Sequence, residues 1–212
     1  MFLIKVLTFN AVQENTYVVY NEYKECFIID PGCYSQEEKD ELKSFIKDHD
    51  LQPKMLLNTH CHLDHVFGNK DIAEAYGLKL HLHKNEEQVL QLAPSSGLMF
   101  NLPFDNYIGK YVYLREGDIV SLHDDELEVI EAPGHSPGSI CFYCAKQKFL
   151  IGGDVLFYQS IGRTDLPGGS HENLVKNIKE KLFNLPDDVK VYPGHGPATT
   201  IGEEKKHNPF LV

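Results

Sequence analysis

Short apolar runs rich in valine, isoleucine and aromatic residues recur at 2–9, 16–20, 26–30, 54–58, 78–82, 126–132, 139–144 and 148–152. Most are bounded by turn residues, and such runs predict β-strands. Helical spacing appears between some of them. It is clearest in SQEEKDELKSFIKDH, where Ser35 and Glu38 stand at the two positions of a capping box and Leu42, Phe45, Ile46 and His49 share one face. A second helix is expected from Ser170, turning Leu174, Ile178, Leu182 and Leu185 inward. A third is expected after Asp64, ending near Gly77, a residue suited to a left-handed cap. FIID (27–30) and FLIGGD (149–154) are apolar strands that each end in an aspartate, a faint repeat that suggests a duplicated unit. Periodicity by itself supports a mixed α/β class. Residues 94–113 break the pattern with two prolines, two glycines and the exposed-looking aromatics Phe100, Phe104, Tyr107, Tyr111 and Tyr113. They read as a long connection that either packs on the body or faces a substrate.

Length and composition narrow the class. With 212 residues, 42% of them apolar, the chain can bury a large core, and a single domain over residues 1–212 is expected. The net charge of −11, with no basic run beyond Lys205-Lys206, argues against a phosphate-binding surface and so against nucleic acid. The start of the chain lacks a cleavage signal and nothing reaches the ~18 apolar residues of a membrane span, so a soluble cytoplasmic protein without a membrane partner is expected. Five cysteines, Cys26, Cys33, Cys61, Cys141 and Cys144, lie in apolar contexts and are expected to be reduced. Cys141 and Cys144 are three apart in a strand pattern, on opposite faces, which argues against a redox pair. Cys61 should face away from its histidine neighbours and be oxidation-sensitive if its loop is exposed.

The chemistry concentrates directly after the strand KMLLN. Within Thr59-His60-Cys61-His62-Leu63-Asp64-His65, positions 60–65 pack three imidazoles and a carboxylate into six residues. In an extended segment His60, His62 and Asp64 point to one side, and a turn into the following helix brings His65 alongside, so the stretch can feed two adjacent metals. His135 in APGHSPGS, Asp154 in IGGDVLF and His195 in YPGHGP are further candidates, each beside glycine or proline. Those residues permit close backbone approach and stiff turns. Asp30, in Ile29-Asp30-Pro31-Gly32, either orients a ligand histidine from behind or caps the turn before Pro31. Thr59 either bonds near the same loop or simply ends its strand. His49, His81, His83, His123 and His207 lack such brackets and read as solvated or packed residues, while His171, one residue past a helix cap, reads as solvated with a functional role as the alternative.

The His-x-His-x-Asp-His run, followed by isolated His, Asp and His, resembles the metallo-β-lactamase superfamily, and the match spans nearly the whole chain. The resemblance implies a four-layer αββα sandwich, two mixed β-sheets with helices outside. It implies that His60, His62 and His135 bind one metal, that Asp64, His65 and His195 bind a second, and that Asp154 bridges both. The cofactors implied are two divalent ions, zinc foremost with iron or manganese as alternatives. Asp64 and Asp154 would belong to the catalytic centre, where a hydroxide between the metals attacks a carbonyl.

Within that superfamily, GDVLFYQSIGRTDLPGGS resembles the glyoxalase II-like group, and PGHGPATTIGEEKKHNPFL its compact members, which lack a C-terminal helical domain. This implies hydrolysis of a small-molecule thioester of the hydroxyacylglutathione type. Arg163 is the basic residue at a matching turn, expected to meet a substrate carboxylate or to pair with Asp165. True β-lactamases lack the carboxylate at the Asp154 position, which argues against antibiotic hydrolysis. The chief rival is a persulfide dioxygenase, which shares a GRTD turn and would hold one iron at His60, His135 and Asp154. Its PAHDY-like sequence is replaced here by Pro193-Gly194-His195-Gly196-Pro197. A non-catalytic metal-binding member of the fold is a third reading, and no ligand position is eroded to favour it.

Overall fold

The computed structural model describes residues 1–212. Six strands form a first sheet: β1 (Leu3–Phe9), β2 (Glu14–Tyr20), β3 (Glu25–Ile29), β4 (Gln52–Leu57), β5 (Leu80–His83) and β6 (Tyr111–Leu114), in that spatial order. The first three pair antiparallel and the last three join in parallel, each parallel step crossing over through helix. Those crossovers are α1 (Gln36–Asp48), then α2 (Leu63–Val66) with α3 (Asn69–Tyr76), then α4 (Glu87–Met99). The second sheet runs β14-β13-β10-β9-β8-β7, built from β7 (Ile119–Leu122), β8 (Asp125–Glu131), β9 (Ile140–Cys144), β10 (Phe149–Gly153), β13 (Lys190–Pro193) and β14 (Thr199–Thr200). Between β10 and β13 lie the hairpin β11 (Leu156–Phe157) and β12 (Ser160–Ile161), and α5 (His171–Glu180); α6 (Ile201–His207) follows β14.

Strand alternation sorts the buried side chains into three apolar layers. Tyr17, Val19, Phe27, Ile29 and Leu57 of the first sheet meet Val129, Ile140, Phe142, Phe149 and Ile151 of the second. The opposite faces pack outward. Val18, Ile28 and Leu56 lie with Leu42 and Ile46 of α1, Ile72 of α3 and Leu90 of α4, while Cys141, Leu150 and Val191 lie with Leu174 and Ile178 of α5 and Ile201 of α6. The result is the four-layer αββα sandwich, each such side chain contributing roughly 1.5–3 kcal/mol by leaving water. Cys141 and Cys144 indeed fall in different layers. No helix is long and apolar enough to cross a membrane.

Ser35 caps α1 with the reciprocal Glu38 bond, and Gly77 closes α3 at φ 65°. His49 is the exposed C-cap of α1 rather than part of its buried face. The helix expected from Asp64 to Gly77 is broken into two at Phe67-Gly68. A Cβ at Gly68 would collide with Cys33 Sγ and Pro31 O, so the break lets the chain pass close beneath the first loop. Residues 94–99 belong to α4, although Pro94 lies inside it. The carbonyl that the missing Pro94 amide would have bonded, Leu90 O, instead accepts from Asn106 Nδ2 at 2.6 Å. Tyr107 is buried and Phe104 and Tyr111 pack on the core, leaving Phe100 and Tyr113 exposed.

Candidate metal centre

Every residue of the constellation follows the C-terminal end of a strand: Asp30 after β3, residues 58–65 after β4, His135 after β8, Asp154 after β10 and His195 after β13. Both sheets therefore deliver side chains to one rim. There the donor atoms of His60, His62 and His135, those of Asp64, His65 and His195, and those of Asp30, His60 and His65 each lie within 4.8 Å of one another, and the first two groups are the two trios that open on the rim. Asp154 stands between them. Its Oδ1 is 3.4 Å from His65 Nε2, and its Oδ2 is 3.5 Å from His135 Nε2 and 3.6 Å from His195 Nε2. Asp64 Oδ2 lies 3.1 Å from His195 Nε2 and 3.6 Å from His65 Nε2.

The hydrogen bonds behind the rings decide which nitrogens are bare. Carbonyl and carboxylate oxygens only accept, so a ring nitrogen facing one must carry the proton. His135 Nδ1 donates to Arg163 O at 2.8 Å, His195 Nδ1 to Val12 O at 3.1 Å, and His65 Nδ1 to Asp30 Oδ2 at 3.2 Å. Thr59 Oγ1 donates to Asp30 Oδ2 at 2.5 Å, which leaves the hydroxyl oxygen to accept from His60 Nδ1 at 3.1 Å. Four imidazoles thus turn Nε2 inward. His62 instead aims Nδ1, 2.8 Å from His135 Nε2, which is itself 3.2 Å from His60 Nε2. The bare Nε2 atoms of His60 and His135 face each other at 3.2 Å, and two lone pairs at that distance repel unless a cation sits between them. A tetrahedral ion with ~2.0–2.1 Å bonds sets its nitrogens about 3.3 Å apart, close to the spacing found. His65 Nε2 and Asp154 Oδ1 are buried 3.4 Å apart and neither makes a hydrogen bond, which fits the same conclusion.

The two trios differ electrically. Burial, reinforced by the surrounding imidazoles, holds His60 well below the usual histidine range, and burial and His135 bring His62 down to about 4. Burial also opposes charge on His65, but Asp154 and Asp64 outweigh it and the net direction is up. Asp154 runs the other way, its carboxyl held down by His65 and the other rings against burial. The first trio is a neutral nitrogen set, the second an acid-rich one.

Asp30 and Thr59 lie behind the rings. The Asp30 carboxylate accepts from Thr59 N, Thr59 Oγ1, Asn58 Nδ2 and His65 Nδ1, so it orients one ring directly and a second through Thr59. Arg163 is exposed and its guanidinium is held in a bidentate pair with Asp165, 2.7 Å at each contact, while its carbonyl fixes His135. His171 is exposed at the start of α5, and His49, His81, His83, His123 and His207 fall in neither trio.

Asn15, Tyr17, Glu14 and Glu86 escape sequence reasoning. Asn15 Nδ2 donates to Pro193 O at 3.1 Å and to Gly196 O at 2.9 Å, and Tyr17 Oη donates to Pro193 O at 2.6 Å; together they tether the His195 turn to β2. Gly194 in that turn admits no side chain, since a Cβ would strike Asp154 Oδ1 and His65 Cε1. Glu14 is buried with its Oε1 3.8 Å from His65 Nδ1, and burial pushes its carboxyl well above the usual range. Glu86 is buried beneath His60, His62 and His135 and bonded to both of their loops. Glu-Asn at a strand start and Lys-Asn-Glu-Glu before a helix look like surface sequence; their pairing with residues far along the chain is what buries them.

A family model described as the metallo-beta-lactamase superfamily matches residues 9–195. The chain belongs to that superfamily. Among its members the chain is similar to hydroxyacylglutathione hydrolase GloC of Haemophilus influenzae, 37% identical over 98% of this chain and 97% of the other. It is similar in structure to the B3 metallo-beta-lactamase BLEG-1, with TM-score 0.90 and 36% identity over 99% of this chain and all of the other. TTHA1623 in a di-iron-bound form superposes with TM-score 0.88 at 35% identity, over 98% of this chain and 100% of the other. ETHE1 from Myxococcus xanthus stands further off, with TM-score 0.81 at 26% identity over 99% of this chain and 84% of that one.

Proposed function

We propose that this protein is a hydrolase that holds two divalent ions, zinc foremost, and cleaves a small thioester of the hydroxyacylglutathione type. The reading is carried by ring orientation: with Nδ1 engaged behind them, His60, His65, His135 and His195 turn Nε2 toward two adjacent points, His62 turns Nδ1 toward the first, and Asp154 lies between them. His60, His62 and His135 would hold one ion, Asp64, His65 and His195 the other, and Asp154 would touch both. When bound, the ions supply Lewis acidity, polarising a carbonyl and acidifying water into a nucleophile near neutral pH.

The chain supplies the rest. Asp30, Thr59 and the Arg163 carbonyl hold the rings in register, as outer partners of metal-binding histidines do. The exposed Val12 and the Phe157 ring, 6.4 Å from His195, give substrate an apolar wall. A thiolate, from a thiol of pKa about 8.5, leaves with little protonation. That suits a site in which the buried Glu14 carboxyl lies behind His65 rather than beside the substrate. Arg163 at the rim would meet a substrate carboxylate on release from Asp165. Residues 1–212 act as one unit in this reading, because each trio draws on both sheets.

Similarity to GloC supports the thioester over other bonds. A dioxygenase would use only His60, His135 and Asp154, leaving the ring orientations of His62, His65 and His195 without a purpose. The test is metal analysis of the purified protein with three assays in parallel: S-lactoylglutathione hydrolysis, oxygen uptake with glutathione persulfide, and nitrocefin hydrolysis. Two metals per chain with thioester cleavage as the dominant activity is the expected result. One iron per chain with rapid oxygen uptake, or faster nitrocefin cleavage, overturns the proposal.

A further inference from the structure

We infer that Glu86 is a positioning residue that sets the spacing of His60, His62 and His135, and with it the affinity of that trio for metal. The inference rests on the proposed reading of the trio as one of two metal sites. Glu86 closes the single 3-10 turn Lys84–Glu86 and enters α4 with its side chain fully buried. Its Oε2 accepts from the Cys61 amide at 2.7 Å, and its Oε1 accepts from Ser136 Oγ at 2.6 Å and from the Gly138 amide at 2.7 Å. Cys61 lies between His60 and His62, and Ser136 follows His135. One carboxylate therefore ties together the two loops that supply the three rings.

Those loops come from different sheets, His60 and His62 from the end of β4 and His135 from beyond β8. Without a cross-tie, sliding of one sheet over the other would reset the nitrogen separations of 2.8 and 3.2 Å. A ligand set that must be held to within ~0.5 Å needs such support. The second trio has its own tie, through Asn15 and Tyr17 to the His195 turn. Glu86 is not itself a ligand, because both oxygens are engaged by protein donors. No cation pairs with it, so the cost of burying the charge is met by the three donors alone, which is the work of an acceptor-only group. A glutamine cannot replace it. Whichever way its amide turns, an N–H faces either the Cys61 amide or the Ser136 and Gly138 donors.

The experiment compares wild type with Glu86→Gln by zinc titration calorimetry, metal analysis and thermal melting. Glu86→Gln is expected to keep the fold, to weaken one zinc per chain by about 10–100-fold and to leave the other unchanged. Excess zinc should then restore its thioesterase turnover. Wild type that binds fewer than two ions sinks the dinuclear reading itself. Wild type with two ions, beside a folded variant that keeps both at full affinity or loses both equally, sinks the role of Glu86 alone. If Glu86→Gln fails to fold, Ser136→Ala decides: removing one donor should weaken the same single ion by about 5-fold, and an unchanged titration overturns the inference.

Discussion

Asp30 Oδ2 and His65 Nδ1 lie 3.2 Å apart, and the same carboxylate receives Thr59 Oγ1 and the Thr59 amide. Asp30 reaches them from a left-handed backbone conformation, φ 50°, which costs a non-glycine residue roughly 1–2 kcal/mol. Asparagine tolerates that conformation, so Asp30→Asn isolates the loss of the acceptor. Its amide leaves one of the donors from Thr59 or His65 without an acceptor. The variant is expected to fold and to bind metal about 10–100-fold more weakly, read by zinc titration; unchanged affinity would confine Asp30 to the turn before Pro31.

The metal constellation is legible in sequence because chemistry there is local: six residues carry four donors, and His135, Asp154 and His195 stand at strand ends beside glycine or proline. The residues that brace it are not, because what brings them there is contact across long stretches of chain. Glu86 meets Ser136 fifty positions away, and Asn15 meets Gly196. The same holds for α4. Pro94 and Gly97 read as breakers until Asn106 supplies Leu90 O with a donor from outside the helix. Where one element compensates another, propensity misleads.

Asp154 is the one carboxylate within 3.6 Å of rings from both trios. Asp154→Ala should therefore leave fewer than two metals per chain and bring thioester hydrolysis down to the buffer rate. Elemental analysis beside the kinetic assay checks both, and retained activity with a full metal complement would contradict the placement of Asp154 between two ions.

The Arg163–Asp165 pair is exposed and screened by solvent, so it contributes little to stability, and Arg163→Ala should barely move the melting temperature. If the guanidinium serves substrate, KM for acidic thioesters rises more than for neutral ones. Asp165→Ala, which frees the same guanidinium, should shift KM for acidic thioesters in the opposite direction. Equal effects on both substrate classes would make Arg163 structural.

Tyr17→Phe keeps the ring in the central layer and removes only the bond to Pro193 O. A buried hydrogen bond of this kind contributes about 1 kcal/mol, a fall of roughly 2–4 °C in Tm for a chain of this size. Asn15→Ala removes two bonds to the same turn and should fall further, with looser metal at the His195 side. Melting curves of the metal-free and zinc-loaded forms separate the two effects, and a shift confined to the metal-free form would show that the tether does not serve the metal.

Burial pushes the thiols of Cys26, Cys33 and Cys141 up to about 12, and Cys61, also fully buried, well above its usual range. The oxidation sensitivity expected of Cys61 for an exposed loop is therefore replaced by protection. Native protein at pH 8 should react slowly with a disulfide reagent and release all five thiols only on denaturation. The linkage has a definite sign. An unfolded thiol ionises near 8.5 while the buried one stays protonated, so the native state binds more protons between about 8.5 and 12 and stability falls as pH rises through that window. Each thiol contributes a slope of about 1.4 kcal/mol per pH unit. Cys141→Ala should flatten the decline in Tm between pH 8 and 10, and an unaltered slope, or fast labelling of the native protein, would mean that these thiols are not sealed in the packed layers.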